Sequence, residues 1–141
     1  MRLWHKDLIP YLPKKQLQGQ WRELNSIYKL QNKHILINFI YEYDFGHLLA
    51  YNNLIIYEME KRGYKINFTN ADNFFLPLIK KYGGFKIPFY ENLFENKMNN
   101  RYLKQCLYNL EEKAICGGMK KEEWNKIYNK FNLDFDLWRW D

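Results

Sequence analysis

Two groups in this chain are suited to chemistry together: the carboxyl of Glu23 and the nitrogen that opens the chain. Glu23 lies in the stretch Gln16-Leu17-Gln18-Gly19-Gln20-Trp21-Arg22-Glu23-Leu24. Leu17, Trp21, Leu24 and Tyr28, with Ile27 beside them, recur at spacings of three and four, which puts them on one face of a helix from about Lys14 to Leu30. Arg22 and Glu23 fall next to that face. A carboxyl in such a place is half-buried, which raises its pKa and readies it for proton transfer. The chain begins Met1-Arg2-Leu3-Trp4, with no leader, and the helix follows closely, so the α-amino group can pack beside Glu23. At neutral pH roughly a tenth of a terminal amine is neutral, against well under about one part in a thousand for a free lysine. An amine nucleophile beside a carboxylate is the equipment of imine chemistry on a sugar carbon. The plainer alternative is that Arg22 and Glu23 are solvated charges on a core helix.

The elements that must position these groups read as helices. The expected fold is all-α: a single compact domain over residues 1–141, with three to four helices, long loops and an aromatic C-terminal tail. Pro10 and Pro13 keep the leading segment extended, with Trp4, Leu8 and Leu12 tucked against the core and Pro13 at the first position of the helix. Asp44 reads as the N-cap of a second helix to about Arg62, and Gly63 as its left-handed stop. Residues 35–43 read as a buried connection or a continuation of the first helix. Residues 67–87 read as loop-rich, with a short helix or turn over Phe74 to Tyr82. Asn99 or Asn100 caps a third helix, Arg101 to Ile115, stopped by Gly117-Gly118, and a shorter helix runs from Lys120 to Phe131. His5 and His47 read as locally satisfied polar groups.

Length and composition suit one core: 141 residues, of which 47% are hydrophobic. No apolar run is long enough to span a membrane, and the first residues lack the apolar centre of a secretory signal, which points to the cytoplasm. Cys106 and Cys116 match no metal spacing and read as core thiols. A net charge of +6 suits polyanions, nucleic acid first, and equally suits a basic domain of no particular affinity.

Met1-Arg2-Leu3-Trp4, Trp21-Arg22-Glu23-Leu24, Lys33-His34 and Lys61-Arg62-Gly63-Tyr64, in that order and spacing, resemble the pyrimidine-dimer DNA glycosylase/AP lyase family, of the bacteriophage thymine-dimer endonuclease type. The resemblance runs through about the first 35 residues and returns around Lys61 to Ile66. It implies a monomer acting on double-stranded DNA that contains a lesion, without metal or cofactor. The terminal amine would attack C1′ of the damaged nucleotide, and the resulting imine would allow β-elimination. Glu23 matches the catalytic acid of the family and Arg22 a DNA-contacting arginine. Lys33 and His34 match phosphate contacts, and Trp138, Arg139 and Trp140 correspond by position to an aromatic terminus that approaches DNA. Two departures stand out. Residue 2 is Arg, which should block removal of Met1, so the amine is that of Met1, or of Arg2 if Met1 is lost. The second arginine of the family on the first helix is Ser26 here, which bears on dimer specificity. A DNA-binding relative without catalysis, or a phage or host-defence interaction protein reusing the fold, are the alternatives.

Overall fold

Apolar stripes at helical spacing, each closed by a local cap, organise the chain. The computed structural model describes residues 2–31 and 34–131, and among these no strand occurs. A leading segment with a 3-10 turn at Lys6–Tyr11 enters helix α1, Lys14–Leu30; α2 is Phe45–Lys61, α3 Thr69–Tyr82, α4 Asn100–Ile115 and α5 Lys121–Phe131. The all-α class expected from the sequence is what the described residues form. The aromatic tail lies outside them.

The caps follow the sequence closely. Asp44 Oδ1 accepts from the Gly46 N–H at 2.9 Å, Asn99 Oδ1 accepts from the Tyr102 N–H at 2.9 Å, and Gly63 takes the left-handed backbone (φ +77°) that ends α2. Pro13 sits one place earlier than expected, at the N-cap of α1, where its carbonyl accepts from the Leu17 N–H at 2.9 Å. Helix α3 extends the expected short helix N-terminally to Thr69. Pro77 lies inside it, on an exposed face where water can serve the carbonyl that its missing N–H leaves open. Residues 38–42 form a 3-10 turn in the connection between α1 and α2.

The predicted face of α1 is the buried one: Leu17, Trp21, Leu24, Ile27 and Tyr28 all point inward. Tyr28 meets Phe75 of α3 edge-on at 5.1 Å and donates to Asn52 of α2 at 2.7 Å. Tyr51 and Ile55 of α2, Leu107 and Leu110 of α4, and Leu3, Leu8 and Leu12 of the leading segment complete the same core. Cys106 lies in that core, but Cys116 is exposed, because it falls at the C-cap of α4 where the helix has left the core. Arg62 closes the far end of the leading segment, pairing with Glu58 at 3.0 Å and donating to the carbonyls of Leu12 at 2.8 Å and Pro10 at 3.2 Å. Glu123 of α5 accepts from the backbone N–H of Lys14 at 2.9 Å and of Lys120 at 3.1 Å, so one carboxylate serves the starts of α1 and α5, where a negative charge is favoured. No helix among the described residues is long and apolar enough to cross a membrane.

Two outcomes follow for stability. A methyl group at Gly46 would sit 2.1 Å from the carbonyl oxygen of Lys86, so Gly46→Ala must displace the 83–88 loop and should cost about 1–3 kcal/mol in denaturant unfolding. Glu111 of α4 is fully buried, neither carboxylate oxygen has a hydrogen-bond partner, and burial pushes its pKa above the usual carboxylate value. Because the folded-state pKa is the raised one, this group's contribution is fully present below the unfolded carboxylate pKa and is lost as pH rises through the folded value. Glu111→Leu should therefore flatten that part of the stability–pH curve and stabilise the protein at neutral pH by about 1 kcal/mol or more, readable from unfolding at a series of pH values.

Candidate active site

An extended segment that runs among helices has no ladder partner, yet its buried backbone groups still need hydrogen bonds. Here side chains supply them. Gln20, on the buried stripe of α1, accepts from the Trp4 N–H through Oε1 at 2.7 Å and donates through Nε2 to the carbonyl of Arg2 at 3.1 Å. The Tyr51 hydroxyl, from α2, lies 2.7 Å from the carbonyl oxygen of Trp4 and 2.9 Å from Gln20 Oε1, with its one proton shared between them. The Tyr102 hydroxyl, from α4, donates to the carbonyl of Leu3. Burial pushes both phenols far above their ordinary pKa, so both remain protonated donors.

The segment held in this way forms one wall of a cleft of about 330 Å³. Arg2 and Trp4 line it from the segment, Gln16, Gly19, Gln20 and Glu23 from α1, and Asn109 and Lys113 from α4, with Lys15 and Leu36 at its edge. Glu23 is half-buried, its Oε1 is buried without a hydrogen-bond partner, and burial raises the carboxyl above its ordinary range. Gln16 Oε1 is likewise buried and unpartnered. The cleft thus presents two acceptor oxygens without donors inside a rim that carries Arg2, Lys15 and Lys113. Gly19 adds open surface. A methyl there would touch only Arg22 Nη2 at 3.5 Å, an ordinary contact, so the fold does not demand glycine, which costs about 1 kcal/mol against alanine in a helix. Its effect is to keep the α1 wall of the cleft low.

Of the residues singled out in the sequence, Arg2 and Glu23 come together in this cleft. Arg22 is exposed, with its guanidinium over Gly19 at the margin. His34 is exposed in the stretch after α1 and accepts from the Leu36 N–H through Nδ1 at 3.2 Å. Met1, Lys33, Trp138, Arg139 and Trp140 lie outside the described residues. His47 and His5 are the satisfied polar groups expected, accepting from the Phe94 N–H at 2.9 Å and the Asp7 N–H at 3.1 Å. No group of three metal-ligating side chains is gathered among the described residues.

The sequence reading missed Gln20, Gln16, Asn109 and Lys113. Gln20 carried a visible signal: it lies three residues after Leu17 and four before Leu24, a polar side chain on an apolar stripe. Asn109 and Lys113 are a turn apart on α4 and share a face, but nothing in the sequence sets that face beside α1.

Comparison with curated proteins and with solved structures finds no match. A family model described as pyrimidine dimer DNA glycosylase matches residues 1–72, half of the chain. The matched span holds the leading segment, α1, α2 and the start of α3, hence Arg2, Gln20, Arg22, Glu23 and Tyr51. With that match over the part of the chain that builds most of the cleft, the chain belongs to the pyrimidine dimer DNA glycosylase family.

Proposed function

We propose that this chain, acting through residues 1–141 as one domain, is a DNA repair glycosylase with AP lyase activity on a damaged pyrimidine in duplex DNA. The observation that carries this reading is the cleft itself. Glu23 presents an unpartnered, burial-raised carboxyl there, and Arg2 lines the same space. Chain geometry keeps the nitrogen of the first residue within one residue's reach, about 3.8 Å between successive Cα atoms, of that lining residue.

The terminal amine attacks C1′ of the damaged nucleotide, the glycosidic bond breaks, and the base leaves with the bond pair and takes a proton from water. The nitrogen loses a proton to Glu23, which passes it to the ring oxygen as the C1′–O4′ bond breaks; the sugar opens to a protonated imine and Glu23 is again a carboxylate. That cation acidifies the 2′ hydrogen. Glu23 takes the 2′ proton, and the 3′ carbon–oxygen bond breaks with departure of the phosphate. Water then releases the amine. The imine itself is the electron sink, so this route calls for neither metal nor cofactor. The base must leave the stack to reach the cleft. Arg22 and His34, exposed along the margin, together with Lys33, serve as phosphate contacts, and Arg2, Lys15 and Lys113 draw the backbone toward the opening. Trp138, Arg139 and Trp140 stack on and clamp the strand in this reading. The amine is that of Met1, or of Arg2 where Met1 is removed.

Borohydride reduction in the presence of abasic-site or dimer-containing duplex should trap a covalent complex, and acetylation of the terminus should prevent it. A wild-type protein that traps nothing on any such duplex would sink the reading. Glu23→Gln should remove strand cleavage while duplex affinity holds within about twofold. Cleavage needs the ionised carboxylate, so the wild-type rate should fall as pH drops through a midpoint above the ordinary carboxylate value, and a midpoint at or below it would place the acid elsewhere. Arg22→Ala should weaken duplex binding and reduce the slope of log affinity against log salt by about one, which a titration at several salt concentrations reads directly.

A further inference from the structure

We propose that Gln20 and Tyr51 are positioning residues for the N-terminal nucleophile: together they fix where the first nitrogen of the chain meets Glu23. The inference rests on the reading above. Gln20 is almost fully buried and uses both ends of its amide on the same short segment, one on the carbonyl of Arg2 and one on the N–H of Trp4. Tyr51 is fully buried, and its hydroxyl lies 2.7 Å from the carbonyl oxygen of Trp4 and 2.9 Å from Gln20 Oε1, so it joins the clamp to the same residue. The segment that follows the first residue is therefore gripped at three atoms between Arg2 and Trp4. The nitrogen of residue 1 is then tethered within about 7 Å of a fixed carbonyl, two residues at about 3.3–3.6 Å each.

The placement of the grip is what gives it a catalytic consequence. Gln20 lies three residues before Glu23 on α1, about 4.5 Å along the axis, and both line the cleft. One rigid helix therefore carries the clamp for the nucleophile and the acid that serves it. An error in either cannot be corrected by motion of a loop, and their separation is set by helix geometry. Tyr51 ties the same point to α2, so the nucleophile is referenced to two helices at once. Neither side chain need touch DNA for this. Truncating the clamp should leave the duplex-facing charges in place and loosen only the approach of nitrogen to C1′.

The test uses the full chain, wild type against Tyr51→Phe and Gln20→Ala, with a duplex bearing one abasic site as the reactive probe. Three quantities are read: the single-turnover rate of borohydride-trapped complex, the fraction of protein trapped at completion, and the affinity for the same duplex with a tetrahydrofuran analogue that cannot react. Each is measured well below the thermal midpoint of every variant. The trapping rate should fall about 10- to 100-fold, as expected for a misplacement near an ångström. The trapped fraction should stay near wild type, and affinity should change by less than about twofold. A purely structural role would lower the trapped fraction and leave the rate constant alone, and that result overturns the proposal. So does a wild-type rate in folded Tyr51→Phe, or a loss of rate matched by an equal loss of affinity. If Gln20→Ala does not fold, Tyr51→Phe decides, since it removes one hydroxyl at constant ring volume. A wild-type protein that traps nothing sinks the imine reading and this proposal together. A wild type that traps while the variants trap equally fast sinks the positioning role alone.

Discussion

The structure depends on one constraint: a leading segment, extended up to its 3-10 turn at Lys6–Tyr11, is buried where no strand among the described residues pairs with it. Each of its polar backbone groups that is cut off from water has to be met by a side chain reaching in from a helix. α1 answers with Gln20, α2 with Tyr51 and Arg62, and α4 with Tyr102. The segment also gives something back. Lys6, itself buried, donates to the carbonyl of Tyr90 and holds its ammonium 4.4 Å from that ring's centroid, which fastens the loop before α4. The helices therefore pack around the segment rather than against each other alone, and the segment is as much core as any of them.

This arrangement explains why the cleft lies where it does. The leading segment and α1 meet at Gln20, and one turn further along α1 the helix surface passes from core to solvent. Glu23 stands at that margin, wet enough to exchange protons and dry enough for burial to raise its pKa. Arg2 stands opposite, its guanidinium 5.9 Å from the Trp4 ring. Glu23 and Arg2 line one cleft because a glutamine that grips the backbone and a glutamate that stays half-buried are three residues apart on one helix.

Much of this was legible in the residues. The stripe Leu17, Trp21, Leu24, Ile27 and Tyr28 named the buried face of α1, and Asp44, Gly63 and Asn99 marked helix ends, because periodicity and caps are local properties. That Arg2 and Glu23 line one cleft fits the short sequence distance between them. Helix α3 was understated because Pro77 and the Gly83-Gly84 pair look like breaks. Packing of Ala71 and Phe75 against the core outweighs the missing N–H, and Pro77 faces solvent. The roles of the Tyr51 and Tyr102 hydroxyls were not legible, since sequence shows a ring on a helix and not which distant carbonyl it will serve. Asn109 and Lys113 were invisible as cleft residues for the same reason: their place depends on how α4 lies across α1.

The bond from Tyr102 to Leu3 spans a sequence separation of 99 residues. That hydrogen bond exists only once α4 has docked on the leading segment. Closing so large a loop adds entropy cost and slows assembly relative to a bundle of sequential helical hairpins. Until that closure the leading segment has its partners on α1 and α2 but not the one on α4, so the geometry of the cleft is completed only once α4 has docked.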